Sequence, residues 1–268
     1  MMLQSIAEAP LQQWRGLIAV LTDIDDTLTL HGRLPPPAFA ALARLRAAGL
    51  RVIPITGRPA GWCDMIARLW PVDAVVGENG AFYFRYDDAA KKMIRVYAQP
   101  AGERRSNRAR LEAISLRVLR EFPGTAVASD QAYREIDVAI DFCEDVVPLP
   151  LATAQAIADV FIGEGAQAKV SSIHVNAWFG DHDKLTMSKR LLAEAFAIDA
   201  GRARETIAYC GDSPNDAPMF GYFPLGIGMA NVKPYLKLMT QHPRFVTQAE
   251  GGEGFAEFAG IVLAARGP

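Results

Sequence analysis

An uninterrupted apolar run, Leu17 to Leu21, passes through Thr22 into three aspartates, Asp23, Asp25 and Asp26. Such a run reads as a strand buried on both faces of a parallel sheet, which restricts the chain to folds with helices on both sides. Carboxylates at the end of that strand stand at the carboxyl edge of the sheet, where open α/β folds place their ligands. Like charges this close are costly unless a cation or several hydrogen bonds compensate, so a divalent metal is the expected companion. Asp23 and Asp25 lie two apart and share a face in extended backbone. One carboxylate of such a pair can attack phosphorus while the other protonates the leaving oxygen and later activates water. The same residues also suit an Asp-rich turn that merely caps a helix.

The next segments repeat the pattern. Pro35 to Pro37 lead into a helix over 38–48, with Phe39, Leu42 and Leu45 at helical spacing and Gly49 as its cap. A second strand over 50–55 completes a βαβ unit, the mark of a parallel sheet. It ends in Thr56-Gly57-Arg58-Pro59, where a hydroxyl followed by Gly and a helix start can grip a phosphoryl oxygen or simply form a capping turn. A helix over 61–70 and a strand over 73–76 lead into Gly77-Glu78-Asn79-Gly80-Ala81, whose Asn-Gly pair reads as a hairpin turn. Much later a strand over 204–209 runs into Gly211-Asp212-Ser213-Pro214-Asn215-Asp216. Two carboxylates there offer Mg²⁺ the hard oxygen ligands it favours, with room for water and phosphate; Mn²⁺ fits such a set nearly as well.

Asp23-x-Asp25-x-Thr27-Leu28 after an apolar strand resembles the first motif of the haloacid dehalogenase-like phosphatases. The resemblance implies that Asp23 forms a phospho-aspartate and Asp25 is the general acid/base. Asp26 stands where the family usually has Gly, and Asp tolerates unusual backbone angles. Thr56 resembles the second motif, reinforced by Gly57 and Arg58. Lys184, at the start of a helix running to about 196, resembles the third, whose Lys balances the charge of nucleophile and phosphate; Lys189 lies one turn further along. Gly-Asp-x-x-Asn-Asp resembles the fourth. It implies Asp212 as a direct metal ligand, Asp216 direct or through water, Asn215 orienting its neighbours, and Asp25 contributing its backbone carbonyl. The Glu78-Asn79-Gly80-Ala81 run looks like the subfamily with the largest inserted cap, which includes sugar phosphatases and phosphomannomutases, and brings Asn79 into the substrate site.

Between the motifs the rhythm changes. Strands and helices over 93–98, 104–121, 126–129, 135–142, 150–162, 168–170 and 173–179 form an α+β layer unlike the flanking α/β pattern. His174, Asn176 and Trp178 share one face of its last strand, a face that can meet either substrate or solvent. The expectation is a Rossmann-like, doubly wound parallel-sheet core, residues 1–85 and 179–268, with an inserted α+β cap at 86–178.

Composition narrows the function. A net charge of −2 over 268 residues leaves no electrostatic footprint for nucleic acid or an anionic membrane. No apolar run approaches ~20 residues, and Met1 to Trp14 lack the basic and apolar regions of a signal peptide. Cys63, Cys143 and Cys210 are odd in number and widely separated, which suits a reducing, cytoplasmic setting. The histidines have no ligand spacing for zinc. The expected function is Mg²⁺-dependent hydrolysis of a small phosphomonoester such as a sugar phosphate. A phosphomutase and a non-catalytic phospho-ligand sensor are the alternatives on the same residues.

Overall fold

The apolar run and its partners assemble into a six-stranded parallel sheet. In the computed structural model, which describes residues 3–171 and 173–267, the strand Ala19–Thr22 lies between Arg51–Pro54 and Ile207–Gly211. Leu225–Gly228, Phe245–Val246 and Gln4–Ser5 extend the sheet beyond Ile207–Gly211, every ladder parallel. Residues 1, 2 and 268 of the expected core and residue 172 of the expected cap lie outside the described residues.

All of Ala19–Thr22 is buried, and alternate residues serve opposite faces. Val20 packs with Leu42, Leu45, Phe255 and Phe258. Ala19 and Leu21 pack with Met187, Leu191 and Phe220. Helices Pro36–Ala47 and Gly251–Arg266 cover the first face, and Lys184–Phe196 and Ala217–Tyr222 the second. Each fully buried Leu or Phe contributes about 2 kcal/mol, so the three layers supply the stability that lets acidic groups crowd at the sheet's edge. The chain leaves Ala19–Thr22 toward Arg51–Pro54 and returns beside it through Ile207–Gly211. Strand order therefore reverses there, which opens a crevice at the carboxyl ends.

One local expectation is overturned. Residues Ala200–Thr206 are helical, capped by Asp199 accepting from the Arg202 N–H at 2.9 Å, so the strand begins only at Ile207. Gly251, Gly252 and Gly254 lie in the first turn of Gly251–Arg266. A Cβ on Gly251 would sit 2.4 Å from the Thr29 carbonyl oxygen, and its φ is +47°. Those glycines let a helix end press against the turn that follows Asp23, a demand of packing rather than of chain flexibility.

Val75–Gly77, Phe82–Asp87 and Lys92–Tyr97 make a small antiparallel sheet, joined to the core by a parallel bridge between Ile55 and Val76. Phe82 and Phe84 stack 4.2 Å apart and join the first core cluster. The expected boundary between 85 and 86 falls inside this ladder. The separate cap sheet runs Ala126–Val127, Val138–Asp141, His174–Trp178, Gln167–Val170, all antiparallel. Val138, Ile140, Val175 and Ala177 pack in the cluster formed with helices Ala101–Glu121 and Leu151–Gly163. The alternate residues, among them Asp137, His174, Asn176 and Trp178, occupy the other face and are also buried. A face that is both polar and buried marks where the cap meets the core. No helix among the described residues is long and apolar enough to cross a membrane.

Candidate active site

The carboxyl edge of the parallel sheet gathers the acidic motifs. Asp23 continues the Ala19–Thr22 ladder, its N–H donating to the Cys210 carbonyl at 2.9 Å. The chain then turns sharply, with Leu28 and Thr29 N–H groups both returning to the Ile24 carbonyl at 2.9 Å. Asp26 takes φ +55° in that turn, the left-handed conformation that its short polar side chain tolerates. Thr27 donates to Asp212 Oδ1 at 3.1 Å and so ties the first motif to the fourth.

Lys184 enters from the other side. Its helix is capped by Asp183, which accepts from the Thr186 N–H at 2.6 Å. Its Nζ donates to Asp23 Oδ1 at 2.6 Å and to Asp216 Oδ1 at 2.9 Å. Asp216 also accepts from the Tyr209 hydroxyl and, through Oδ2, from the Asp212 and Ser213 N–H groups at 3.0 and 3.3 Å. Gly211 is required for this approach, because a Cβ there would lie 2.5 Å from Asp216 Oδ2. Lys189, one turn on, rests over the Tyr222 ring 5.1 Å away.

Asp23, Asp212 and Asp216 offer oxygens that all lie within 4.8 Å of one another, and all three side chains are buried. One ammonium faces three carboxylates. Burial, with Asp216 and Asp25 adding to it against Lys184, pushes Asp23 up to about 8. Burial together with Asp216, Asp23 and Asp26 raises Asp212 well above the ordinary carboxylate range. A site with this surplus of hard, clustered oxygen ligands fits a divalent cation such as Mg²⁺. Asp212 has the freer carboxylate, whereas both oxygens of Asp216 are engaged by the protein.

The Asp25 side chain stands apart from that trio. Arg58 Nε donates to its two oxygens at 2.9 and 3.1 Å. The same guanidinium donates to Glu144 at 2.8 and 3.3 Å, approaches Asp130 at 3.5 Å, and lies 4.6 Å over the Trp62 ring. Thr56 is fully buried, and its Oγ1 accepts from the Arg58 N–H at 2.9 Å, leaving its own proton to donate. It therefore shapes the capping turn whatever else it does.

Above these residues a pocket of about 370 Å³ opens between core and cap. The core lines it with Asp23, Asp25, Gly57, Arg58, Asn79 and Asn215. The cap lines it with Arg134, His174 and Asn176, so the shared face of the last cap strand does meet the acidic motifs. Thr56 and Lys184 are not among its lining residues. His174 Nε2 stands 2.9 Å from Glu144 Oε2, though off the direction of a good hydrogen bond. His174 and Arg58 hold the Glu144 carboxyl down at about 2.

Sequence reasoning missed the seam that seats the cap. Arg134, wholly buried, donates to Asp130, to Asp137 and to the Gly57 carbonyl at 2.9 Å. Asn176 donates to Asp137 at 3.0 Å. Glu78 accepts from the N–H groups of Ala60, Glu135, Ile136 and Asp137 at 2.7 to 3.0 Å. Burial and Asp137 lift Glu78 to about 7, against the pull of Arg134 and the backbone donors. The only signal in the chain is Glu78 itself, a charge in an otherwise turn-like Gly-Glu-Asn-Gly run; Arg134 and Asp137 carry no spacing that points to them.

Residues 180–258 match the sequence profile of the haloacid dehalogenase-like hydrolase family. Solved structures share the fold over almost the whole chain. A Thermoplasma acidophilum protein is 18% identical, with a TM-score of 0.67 over 92% of this chain and 98% of its own. The Candida albicans trehalose-6-phosphate phosphatase C-terminal domain is 11% identical, with a TM-score of 0.69 over 97% and 98%. The Synechocystis sucrose-phosphatase, solved with sucrose and phosphate, is 18% identical, with a TM-score of 0.61 over 91% and 98%. The comparison with curated proteins finds no match. The profile match covers residues 180–258, and the solved structures show the same fold over nearly all of the chain.

Proposed function

We propose that the protein hydrolyses a small phosphomonoester, a sugar phosphate, through a phospho-aspartate on Asp23. The observation that carries this reading is the pairing of two carboxylates on one pocket with two different cations, Lys184 on Asp23 and Arg58 on Asp25. Lys184 opposes the burial that raises Asp23 and so favours its ionised, nucleophilic form. That oxygen attacks phosphorus, an acyl-phosphate bond forms, and the P–O bond to the sugar breaks. Asp25, outside the carboxylate trio, gives its proton to the departing alkoxide. It then takes a proton from water, which attacks the phospho-aspartate, releasing phosphate and restoring Asp23. The Thr56 hydroxyl and Lys184 hold phosphoryl oxygens, so positioning and charge placement supply most of the rate. Asp23, Asp212 and Asp216, with the Asp25 backbone carbonyl, would hold Mg²⁺, which would supply further positive charge to those oxygens when bound.

The cap in this reading is the four-stranded sheet with its two helices, and the hairpin strand Lys92–Tyr97 stays with the core. His174 and Asn176 face the leaving group; Gly57, Asn79 and Asn215 flank the phosphoryl group. Solved relatives named for sucrose phosphate and trehalose 6-phosphate support a sugar leaving group.

Phosphate release from a panel of sugar phosphates, polyol phosphates and nucleotides, with Mg²⁺ and with EDTA, tests the proposal beside Asp23→Asn. Metal-dependent release that disappears in the variant is expected. Isomerised sugar phosphate without free phosphate would replace the reading with a mutase, and binding without any turnover would replace it with a sensor.

A further inference from the structure

Arg58 lies between Asp25 and the cap, and its donors are divided unevenly. Its Nε–H is shared between the two Asp25 oxygens, at 2.9 and 3.1 Å. Nη1 and Nη2 instead form a fork on the two oxygens of Glu144, at 3.3 and 2.8 Å. Nη2 also stands 2.8 Å from Asp25 Oδ1, though off the direction of a good hydrogen bond. A fork on a carboxylate is the strongest pairing a guanidinium offers, and one N–H split between two oxygens is a weak one. The strong pairing goes to a residue outside the pocket, since Asp25 and Arg58 line the cavity and Glu144 does not. Glu144 can therefore affect the chemistry only through a neighbour, and Arg58 is the neighbour that touches Asp25.

Both ends of the link are held firmly. Glu144 sits in the turn after Val138–Asp141, where the buried Asp141 carboxylate accepts from the N–H groups of Cys143, Glu144 and Asp145 at 2.8 to 2.9 Å. Phe142 anchors that turn in the cap core, and its carbonyl accepts from the Leu149 N–H at 2.8 Å. His174 adds a ring nitrogen 2.9 Å from Glu144 Oε2. Arg58 is 4% exposed and lies 4.6 Å from the Trp62 ring. Asp130 approaches Nη1 at 3.5 Å, but its carboxylate already accepts from Nε and Nη2 of Arg134. Seating the cap does not require Glu144, because Glu78 and Arg134 already tie residues 134–137 to the core.

We propose that Glu144 is a cap-borne positioning residue for the acid step. By taking the fork of Arg58 it leaves Asp25 only the shared Nε–H, so the Asp25 carboxyl can turn toward the leaving oxygen. Without Glu144 the fork moves onto Asp25 and engages both of its oxygens. In the step so controlled, an Asp23 oxygen bonds to phosphorus and the P–O bond to the leaving group breaks. The Asp25 proton passes to the departing oxygen. This rests on the phosphatase reading above.

Phenyl phosphate and 4-nitrophenyl phosphate test it. The two esters are close in shape, but phenolate leaves poorly without a proton and nitrophenolate leaves well. In Glu144→Ala, kcat/KM for phenyl phosphate should fall about tenfold and that for 4-nitrophenyl phosphate by less than about twofold. Glu144→Gln, whose carbonyl still accepts from Arg58, should recover part of the loss. A Glu144 that merely seats the cap or touches the leaving group would lower both esters by one factor. Equal falls, or no fall, overturn the proposal. If no ester or sugar phosphate is turned over, the phosphatase reading has failed, and NMR judges the Arg58 link separately. The Arg58 Nη–H signals, assigned by their loss in Arg58→Lys, should stay resolved in Glu144→Ala as the fork moves onto Asp25. They should average only when Asp25→Asn is added. Averaging in Glu144→Ala alone, or signals still resolved in the double variant, overturns the proposed transfer of the fork.

Discussion

Two buried acidic clusters lie close together in this molecule, and they resolve the same problem differently. At the floor, Asp23, Asp212 and Asp216 face Lys184; at the seam, Glu78, Asp130 and Asp137 face Arg134. Each has three carboxylates around one central cation, with Arg58 also approaching Asp130 of the seam at 3.5 Å. The seam closes with N–H donors, four from the backbone onto Glu78 and one from Asn176 onto Asp137. At the floor, Asp23 has only Lys184, and Asp212 has only the Thr27 hydroxyl and a distant Asn231. Among the described residues, the floor trio is the group whose oxygens converge closely enough to hold an ion. Acidic crowding alone therefore does not make a metal site. What suits an ion at the floor is the convergence of oxygens on one point, with the donors concentrated on Asp216 and few left for Asp23 and Asp212.

The sharpest way to test that contrast is to break one side at a time. Asp23→Asn should abolish phosphate release by at least about 10⁴-fold, as loss of a covalent nucleophile does, while circular dichroism shows the fold retained. Arg134→Met should do the reverse. It leaves Asp130 and Asp137 buried without their cation, and chemical denaturation should show a loss of about 3–5 kcal/mol.

A third comparison uses pH. His182 is held neutral by burial, so its folded pKa of about 4 lies below the unfolded value of 6.5. Below pH 6.5 the unfolded chain binds a proton that the folded ring refuses. Stability should therefore fall from about pH 6.5 to about pH 4, by up to about 3 kcal/mol. Burial opposes protonation, and Asp183 and Asp181 favour it. The difference between the wild-type and His182→Leu stability curves isolates the effect; parallel curves would remove it. The smallest expected effect lies at the floor. Thr27→Val removes the hydroxyl that orients Asp212 and should raise the Mg²⁺ needed for half-maximal activity about tenfold, with little change in melting temperature.

Much of the floor is legible in the order of residues alone. Asp23, Asp25, Asp212 and Asp216 follow apolar strands, and the pattern of a parallel sheet brings such positions to one edge; Lys184 is picked out only by the resemblance to the third motif. The seam is not legible in that way. Glu78 takes its donors from residues near 60 and 135, and Arg134 reaches back to the Gly57 carbonyl. Nothing local distinguishes Arg134 from a solvated surface arginine. The need for glycine at 251 and 252 is hidden for a related reason, since both meet Thr29 and Leu28 far away in the chain.

By itself, then, the sequence determined the order of buried strands, the doubly wound core, the inserted cap and the acidic groups that gather at the sheet's edge. These follow from periodicity and from short-range rules about how strands end. Only the tertiary structure decided which cation each carboxylate receives, that Arg58 joins Asp25 to the cap through Glu144, and that the His182 ring is buried without a hydrogen-bond partner. Those outcomes depend on which distant groups meet in a dry interior, where one N–H more or fewer changes the charge a carboxylate can bear.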